Sequence, residues 1–348
     1  MPAETSLKTP LDYRRILLRA DGSASIGIGH VVRSLVLARE LLDLGAQVEV
    51  WGSSVGAAKM LAPSFKPLVV RDRAAPDGTA EELNSISRFK PDLVIVDGYH
   101  FRRDFFLGLS AGAIAYGVID DNGETQASSP VFVVNQNPSA SENQYRSRFP
   151  FQRLFLGTTW ALIRQEFRML QHLKVGSEHD IYLALGGSDV SGLTLLIAER
   201  LVKEGFSIAV ALGPVVPDRA KVTRRLRELP GIHLAGVADA PLTMAKSDLL
   251  VLGAGSALWE ANALGKKSVG LVVAKNQAAP AKLAHSEGLV STVIDVQQEN
   301  DREKLPSMLL KTINALKHEE PPRRQIDADS SRELAKHLVG LHNLANWE

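Results

Sequence analysis

Apolar residues along the chain gather in short unbroken runs that alternate with longer amphipathic stretches, and the alternation occurs twice. RILLRA (15–20) reads as a buried strand. HVVRSLVLARELLDLG (30–45) carries apolar residues at helical spacing and ends on a glycine suited to a C-cap, and QVEVWGS (47–53) returns as a strand. Strand, turn, helix, strand is a βαβ unit, whose crossover is right-handed and whose strands pair in parallel. The pattern continues with PDLVIVDGYH (91–100) as a strand, FRRDFFLGLS (101–110) as a helix, then AIAYGVIDD (113–121) and PVFVVNQN (130–137) as strands. The first half therefore reads as a doubly wound α/β domain.

After a less regular stretch, ENQYRSRFPFQRLFLGTTWALIRQEFRML (142–170), and a polar patch at Gly176, Ser177 and Glu178, the code restarts. DIYLALGGSD, FSIAVALGP, SDLLVLGAGS and KSVGLVV alternate with the helical patterns GLTLLIAERLVKEG, KVTRRLRELPGIHLAGV, ALWEANALG and NQAAPAKLAHSEG. Two Rossmann-like halves without obvious mutual repetition predict paired domains across a cleft. The expected boundaries are a loose tail at 1–13, an N-terminal domain at 14–175, a C-terminal domain at 176–325, and a final helix within 326–348. That helix, opened by a Ser or Asp cap, is expected to pack back on the first domain.

Bulk composition narrows the function. The 348 residues include 40 basic and 39 acidic side chains, a formal charge of +1, with no basic block of the kind that binds nucleic acid. There is no cysteine, so thiol nucleophiles, thiolate metal sites and disulfides are all excluded. No apolar run approaches the roughly 20 residues of a membrane helix, and the N-terminus lacks a signal-peptide core. A cytoplasmic protein without a membrane span is expected.

The chemistry gathers at strand-to-helix turns. In DGSASIGIGHVVR, Gly27 and Gly29 let backbone approach a ligand, and the helix starting near His30 aims free N–H groups and a positive dipole end at an anion. A dinucleotide site fits poorly, because His30 stands at the third glycine position and no acidic residue ends QVEVWGS. A tight turn closed by a capping histidine fits the spacing as well. ALGGSD, through Gly186, Gly187 and Ser188, and GAGSALWE, through Gly255 and Ser256, repeat the strand, small-residue loop and helix pattern that suits a diphosphate, although plain βα turns share it. Glu260, one turn further on, can accept from a ribose diol or simply face the helix dipole. Asp97 and Tyr99, Asp120 and Asp121, Asn135 and Asn137, and Asn276 and Gln277 sit at strand ends, where open parallel sheets bind ligands. The aspartate pair reads as turn-forming rather than metal-binding.

Taken in series, RADGSASIGIGHVVRSLVLARELL, VDGYH, VIDD, VVNQN, LGTTWALIRQEFR, LALGGSD, GAGSALWEA and VVAKNQ resemble the UDP-2,4-diacetamido-2,4,6-trideoxy-β-L-altropyranose hydrolases of pseudaminic acid biosynthesis, over nearly the whole chain. The resemblance implies the two-domain GT-B architecture of glycosyltransferases and an enzyme that needs no cofactor and no metal. It implies that His30 is the general base that activates water, with Tyr99 and Asn276 beside it. Gly29, Gly186, Gly187, Ser188, Gly255, Ser256 and Glu260 would hold the UDP part, and Asp21, Arg33, Asp97, Arg164 and Gln277, from the same motifs, would position the substrate. An imidazole, with an ordinary pKa of about 6.5, suits a base at neutral pH. The expected partner is a small nucleotide sugar. The rivals are a GT-B glycosyltransferase, in which an acceptor hydroxyl replaces water, a regulatory module that only binds nucleotide, and a dinucleotide-dependent oxidoreductase. The geometric expectation is that His30 faces Ser256 and Glu260 across one cleft.

Overall fold

The computed structural model describes residues 14–23, 27–53, 69–72, 80–189, 191–236, 238–322 and 326–340. The expected tail at 1–13 and the last stretch of the expected C-terminal helix lie outside the described residues. The first sheet has seven parallel strands in the order β3-β2-β1-β4-β5-β6-β7. These are β1 (Arg15–Ala20), β2 (Gln47–Gly52), β3 (Val69–Asp72), β4 (Leu93–Asp97), β5 (Tyr116–Ile119), β6 (Phe132–Asn135) and β7 (Arg153–Leu156). The second has six, ordered β10-β9-β8-β11-β12-β13. They are β8 (His179–Ala184), β9 (Ile208–Ala211), β10 (Ile232–Ala235), β11 (Ser247–Gly253), β12 (Lys267–Val272) and β13 (Thr292–Asp295). The sequence pattern anticipates none of β3, β7, β10 and β13, and β10 lies within a stretch that reads as helical; β7 pairs Phe132 with Arg153 and Asn135 with Leu156 as the far edge of the first sheet.

The central strands are continuous apolar runs because both of their faces are covered. Every residue of Leu93–Asp97 is buried. On one face of the first sheet Leu18, Ile95 and Val134 pack under the helix Gly29–Asp43, through Val31, Leu35 and Ala38. The same cluster takes in Leu334, Ala335 and Leu338 of the helix Ser330–Leu338, so the end of the described chain packs into the N-terminal core beside the helix Gly29–Asp43.

Strand order reverses between β1 and β4 in the first sheet and between β8 and β11 in the second. In doubly wound sheets ligands bind beyond the carboxyl ends of the strands at such points. The segment that crosses between the domains is extended, and its side chains alternate accordingly. Leu162 enters the first core, whereas Ala161 and Ile163 enter the second. Ser331 locks this crossing, its hydroxyl accepting from Ile163 N at 2.7 Å and donating to Ile163 O at 2.6 Å. Arg168 adds an ion pair to Glu40 at 2.7 Å and another to Asp329.

Candidate active site in the interdomain cleft

A cavity of about 410 Å³ lies where the carboxyl ends of the two sheets face each other. His30, Arg33, Tyr99 and Asp121 line it from the first domain; Gly186, Gly187, Ser188, Gly255, Ser256, Glu260, Asn276 and Gln277 line it from the second. His30, Ser256 and Glu260 thus share one cleft, and Gly29 and Arg164 lie on the same wall. Asp21 and Asp97 are not on that wall. Asp97 is fully buried behind His30 and Arg33, and Asp21 is buried beneath the glycine loop.

At one end, His30 Nδ1 lies 2.7 Å from Asp97 Oδ1. Arg33, one helical turn on, donates to the same carboxylate through Nε and Nη2, both at 2.5 Å, and through Nη1 to Asp121 Oδ2 at 2.5 Å. Arg33 Nη2 is also 2.9 Å from His30 Nδ1. A guanidinium only donates and a carboxylate only accepts, so these two neighbours ask opposite things of Nδ1. The Asp97 contact is the shorter, and Arg33 Nη2 already donates to Asp97 Oδ1, so we assign the proton to Nδ1, which leaves the Nε2 lone pair on the opposite side of the ring. Burial alone would raise the Asp97 carboxyl, but Arg33 and His30 outweigh it and hold it below the usual range. Burial would likewise weaken the Arg33 charge; Asp121 and Asp97 instead drive it well above the ordinary arginine value.

Tyr99 stands edge-on to His30, ring centroids 4.7 Å apart. Its hydroxyl donates to Asp121 Oδ2 at 3.1 Å and accepts from Asn276 Nδ2, in the opposite domain, at 3.4 Å. Although the residue is 45% exposed, burial at the hydroxyl and then the Asp121 charge push the phenol above its ordinary value and keep it a donor.

Two glycine loops meet across the cleft. Gly187 lies so close to Ile28 that a β-carbon there would stand 2.2 Å from Ile28 Cγ1. The helix Gly29–Asp43 begins beside this contact with no side chain capping its N-terminus, and the helices Ala257–Ala263 and Lys275–Ser286 also lack a side-chain cap from their N-cap residues. The first N–H groups of the helices that start at Gly29 and Lys275 are therefore available to an anion at the cavity, whereas Leu258 N and Trp259 N already donate to Gly255 O and Ser256 O, both at 3.0 Å. The GGSD turn departs from the sequence expectation. Its helix starts only at Leu193, and Asp189 accepts from Leu193 N at 3.2 Å and Thr194 N at 3.1 Å, so an internal carboxylate occupies that helix end. Ser256 occupies the N-cap position but makes no capping hydrogen bond.

At the other end of the cavity Glu260 is held by Arg164, Nε to Oε1 at 2.7 Å and Nη2 to Oε2 at 2.8 Å, a bidentate pair that sequence alone did not connect. Although burial would weaken the Arg164 charge, Glu260 raises the guanidinium above its ordinary value. Tyr182, Ala240, Met244 and Trp259 add an apolar wall beside it. Asp21, expected to position substrate, is engaged elsewhere. It pairs with Arg19 at 2.9 Å and His100 at 2.8 Å and accepts from Ser53 N at 2.6 Å, all beneath the glycine loop.

Among the described residues no group of three or more His, Asp or Glu side chains could hold a metal ion. No helix among them is long and apolar enough to cross a membrane.

No family model matches the chain. It is 26% identical over 279 residues to the UDP-2,4-diacetamido-2,4,6-trideoxy-β-L-altropyranose hydrolase of Campylobacter jejuni, covering 79% of this chain and 97% of that protein. It is also 26% identical over 268 residues, 72% of this chain, to an uncharacterized protein of Methanocaldococcus jannaschii, of which the match spans about half, 54%. Among solved structures it is similar to the UDP-GlcNAc 2-epimerase of M. jannaschii in complex with UDP-GlcNAc and UDP, with a TM-score of 0.61 at 13% identity over 93% of this chain and 99% of that one. The MurG of Acinetobacter baumannii aligns with a TM-score of 0.53 at 14% identity, over the same 93% and 99%. The chain therefore has the GT-B fold, and the resemblance carried by its motifs extends to a UDP-sugar hydrolase relative over most of its length.

Proposed function

We propose that this chain hydrolyses a nucleotide-activated sugar, a UDP-sugar in the first instance, by attack of water on the anomeric carbon to release UDP and a free amino or acetamido sugar. The observation that carries the reading is the orientation of His30: its Nδ1 is tied to buried Asp97, which leaves Nε2 as the basic nitrogen at the cavity. The sequence similarity to a UDP-sugar hydrolase supports the same reaction class.

The electrostatics fit the reaction. At the His30 end one guanidinium, Arg33, stands between two carboxylates, Asp97 and Asp121, so the cluster is net negative while His30 is neutral. A proton taken from water neutralises it, and the same negative field favours the positive charge that develops on a sugar ring during glycosidic cleavage. The diphosphate needs the opposite environment. Main-chain N–H groups at the uncapped helix starts supply it, because the cavity's two arginines are already paired with carboxylates. With the diphosphate held in this way, UDP leaves as an anion, and a single in-line attack inverts the anomeric configuration. The small polar substrate and products suit a cytoplasmic enzyme.

The test is incubation with UDP-2,4-diacetamido-2,4,6-trideoxy-β-L-altropyranose in ¹⁸O-water without any acceptor. UDP release with the label in the sugar is expected, because carbon is the atom attacked. Label in UDP, or release that depends strictly on an added acceptor alcohol, sinks the hydrolase reading; the second result identifies a transferase. Replacing His30 with Asn is expected to remove turnover and leave UDP affinity within about threefold.

A further inference from the structure

The two aspartates that follow β5 do different things. Asp120 organises the turn, its carboxyl accepting from Glu124 N and Thr125 N, each at 3.2 Å. Asp121 instead lines the cavity, with its side chain 15% exposed. Its Oδ2 accepts from Arg33 and Tyr99, while its Oδ1 is buried and has no hydrogen-bond partner. The NQN motif holds this residue in place, since Asn135 and Asn137 both donate through Nδ2 to the Asp121 backbone carbonyl, at 3.3 and 3.1 Å.

Asp121 and Glu260 are the only carboxylates among the described residues of the cavity wall. Each oxygen of Glu260 already accepts from Arg164, whereas Asp121 keeps one buried oxygen with no donor at all, close to the proposed base. The two parts of a nucleotide sugar make opposite demands. A diphosphate needs donors and is repelled by a carboxylate, while a sugar ring presents hydroxyl and amide N–H donors that need acceptors. An ion-paired carboxylate with an unfilled oxygen, held by Arg33 and Tyr99 on a backbone fixed by Asn135 and Asn137, answers the second demand.

We propose that Asp121 is a substrate-binding, specificity-determining residue whose carboxylate accepts a hydrogen bond from a hydroxyl or amide N–H of the sugar, an inference that rests on the nucleotide-sugar reading of this site. A site built on such an acceptor rejects a sugar that lacks the matching donor, because the carboxylate oxygen is then left unpaired.

The experiment compares Asp121→Asn with the parent, both carrying His30→Asn so that titrations run without turnover. Each is titrated calorimetrically with UDP and with UDP-2,4-diacetamido-2,4,6-trideoxy-β-L-altropyranose. Asp121→Asn is expected to weaken the UDP-sugar about tenfold or more, a charge-assisted bond lost, and to leave UDP within about twofold. Retained UDP affinity also shows that the variant is folded. Tyr99→Phe, which removes the hydroxyl and keeps the carboxylate, is expected to cost the UDP-sugar less than about threefold. Equal weakening of both ligands, no weakening of the UDP-sugar, or a Tyr99→Phe loss as large as that of Asp121→Asn overturns the proposal. Failure of the hydrolase reading is seen separately, as absence of UDP release by the unmutated chain.

Discussion

His30 Nδ1 and Asp97 Oδ1, 67 residues apart in sequence, are 2.7 Å apart at the carboxyl end of β4. A carboxylate in that place fixes the imidazole tautomer, so its effect is felt at Nε2 on the other side of the ring. Asp97→Asn keeps the size of the side chain but offers an amide that can stabilise the wrong tautomer. The expected result is a fall in kcat of about 10³-fold or more with UDP affinity nearly unchanged. A kcat within tenfold of the parent would show that His30 does not act through this pair.

Beneath the glycine loop, Asp21 makes folding sensitive to acid. Burial would raise its carboxyl, but the hydrogen bond to His100 and the Arg19 charge, with Ser53 N, bring it down to about 2. A depressed native pKa means that the stabilisation is complete above the unfolded value near 3.9 and is lost as pH falls through 2. The amount at stake is roughly 2 kcal/mol. Urea melts at steps between pH 5 and pH 2 are therefore expected to show a steeper loss for the parent than for Asp21→Asn. Parallel curves would mean that the Arg19, Asp21 and His100 cluster does not govern acid unfolding.

The fold was legible in the sequence because the strands of a doubly wound sheet are near-continuous apolar runs and glycine loops mark their turns. β7 was missed because RLFL is a short edge strand inside a polar, aromatic stretch whose periodicity favours no element. The helix start carrying His30 could be read from local spacing. Its partners could not, since Asp97 and Asp121 reach the same guanidinium from separate strands and only the parallel order of β1, β4 and β5 brings them together. Arg164 and Glu260, 96 residues apart, each stand within a motif, but nothing local connects them. The GGSD turn misled for a different reason. Asp189 adopts a left-handed backbone, φ 39°, and its carboxylate accepts from Leu193 N and Thr194 N, so the helix begins at Leu193 rather than directly after the small residues.

The contact of Gly187 with Ile28 gives a test of how closely the two domains must approach. Because a β-carbon at 187 would lie 2.2 Å from Ile28 Cγ1, Gly187→Ala displaces the Ile28 side chain or the loop that carries it. UDP affinity is expected to fall about tenfold, and Ile28→Ala in the same chain to restore most of it by removing the colliding branch. If the double variant binds UDP as weakly as Gly187→Ala alone, the defect lies in the loop's own backbone and the apposition of the domains is not what the nucleotide senses.

The bidentate pair of Arg164 and Glu260 joins stability to recognition in one measurement. Glu260 is 8% exposed, so removing its partner with Arg164→Met leaves a buried carboxylate uncompensated, at a cost of about 3 kcal/mol. Glu260→Gln added to that variant removes the stranded charge and is expected to recover about half of the loss, giving a favourable coupling energy of about 1–3 kcal/mol in a double-mutant cycle. Function gives a second readout. Each Glu260 oxygen accepts one Arg164 N–H and keeps capacity for one further donor, which suits a ribose diol. The parent is then expected to bind UDP about tenfold tighter than 2′-deoxy-UDP, and Arg164→Met, with the carboxylate no longer held, to lose most of that preference. A variant that melts lower but keeps the full preference would make Arg164 a purely structural partner and leave ribose recognition to other residues.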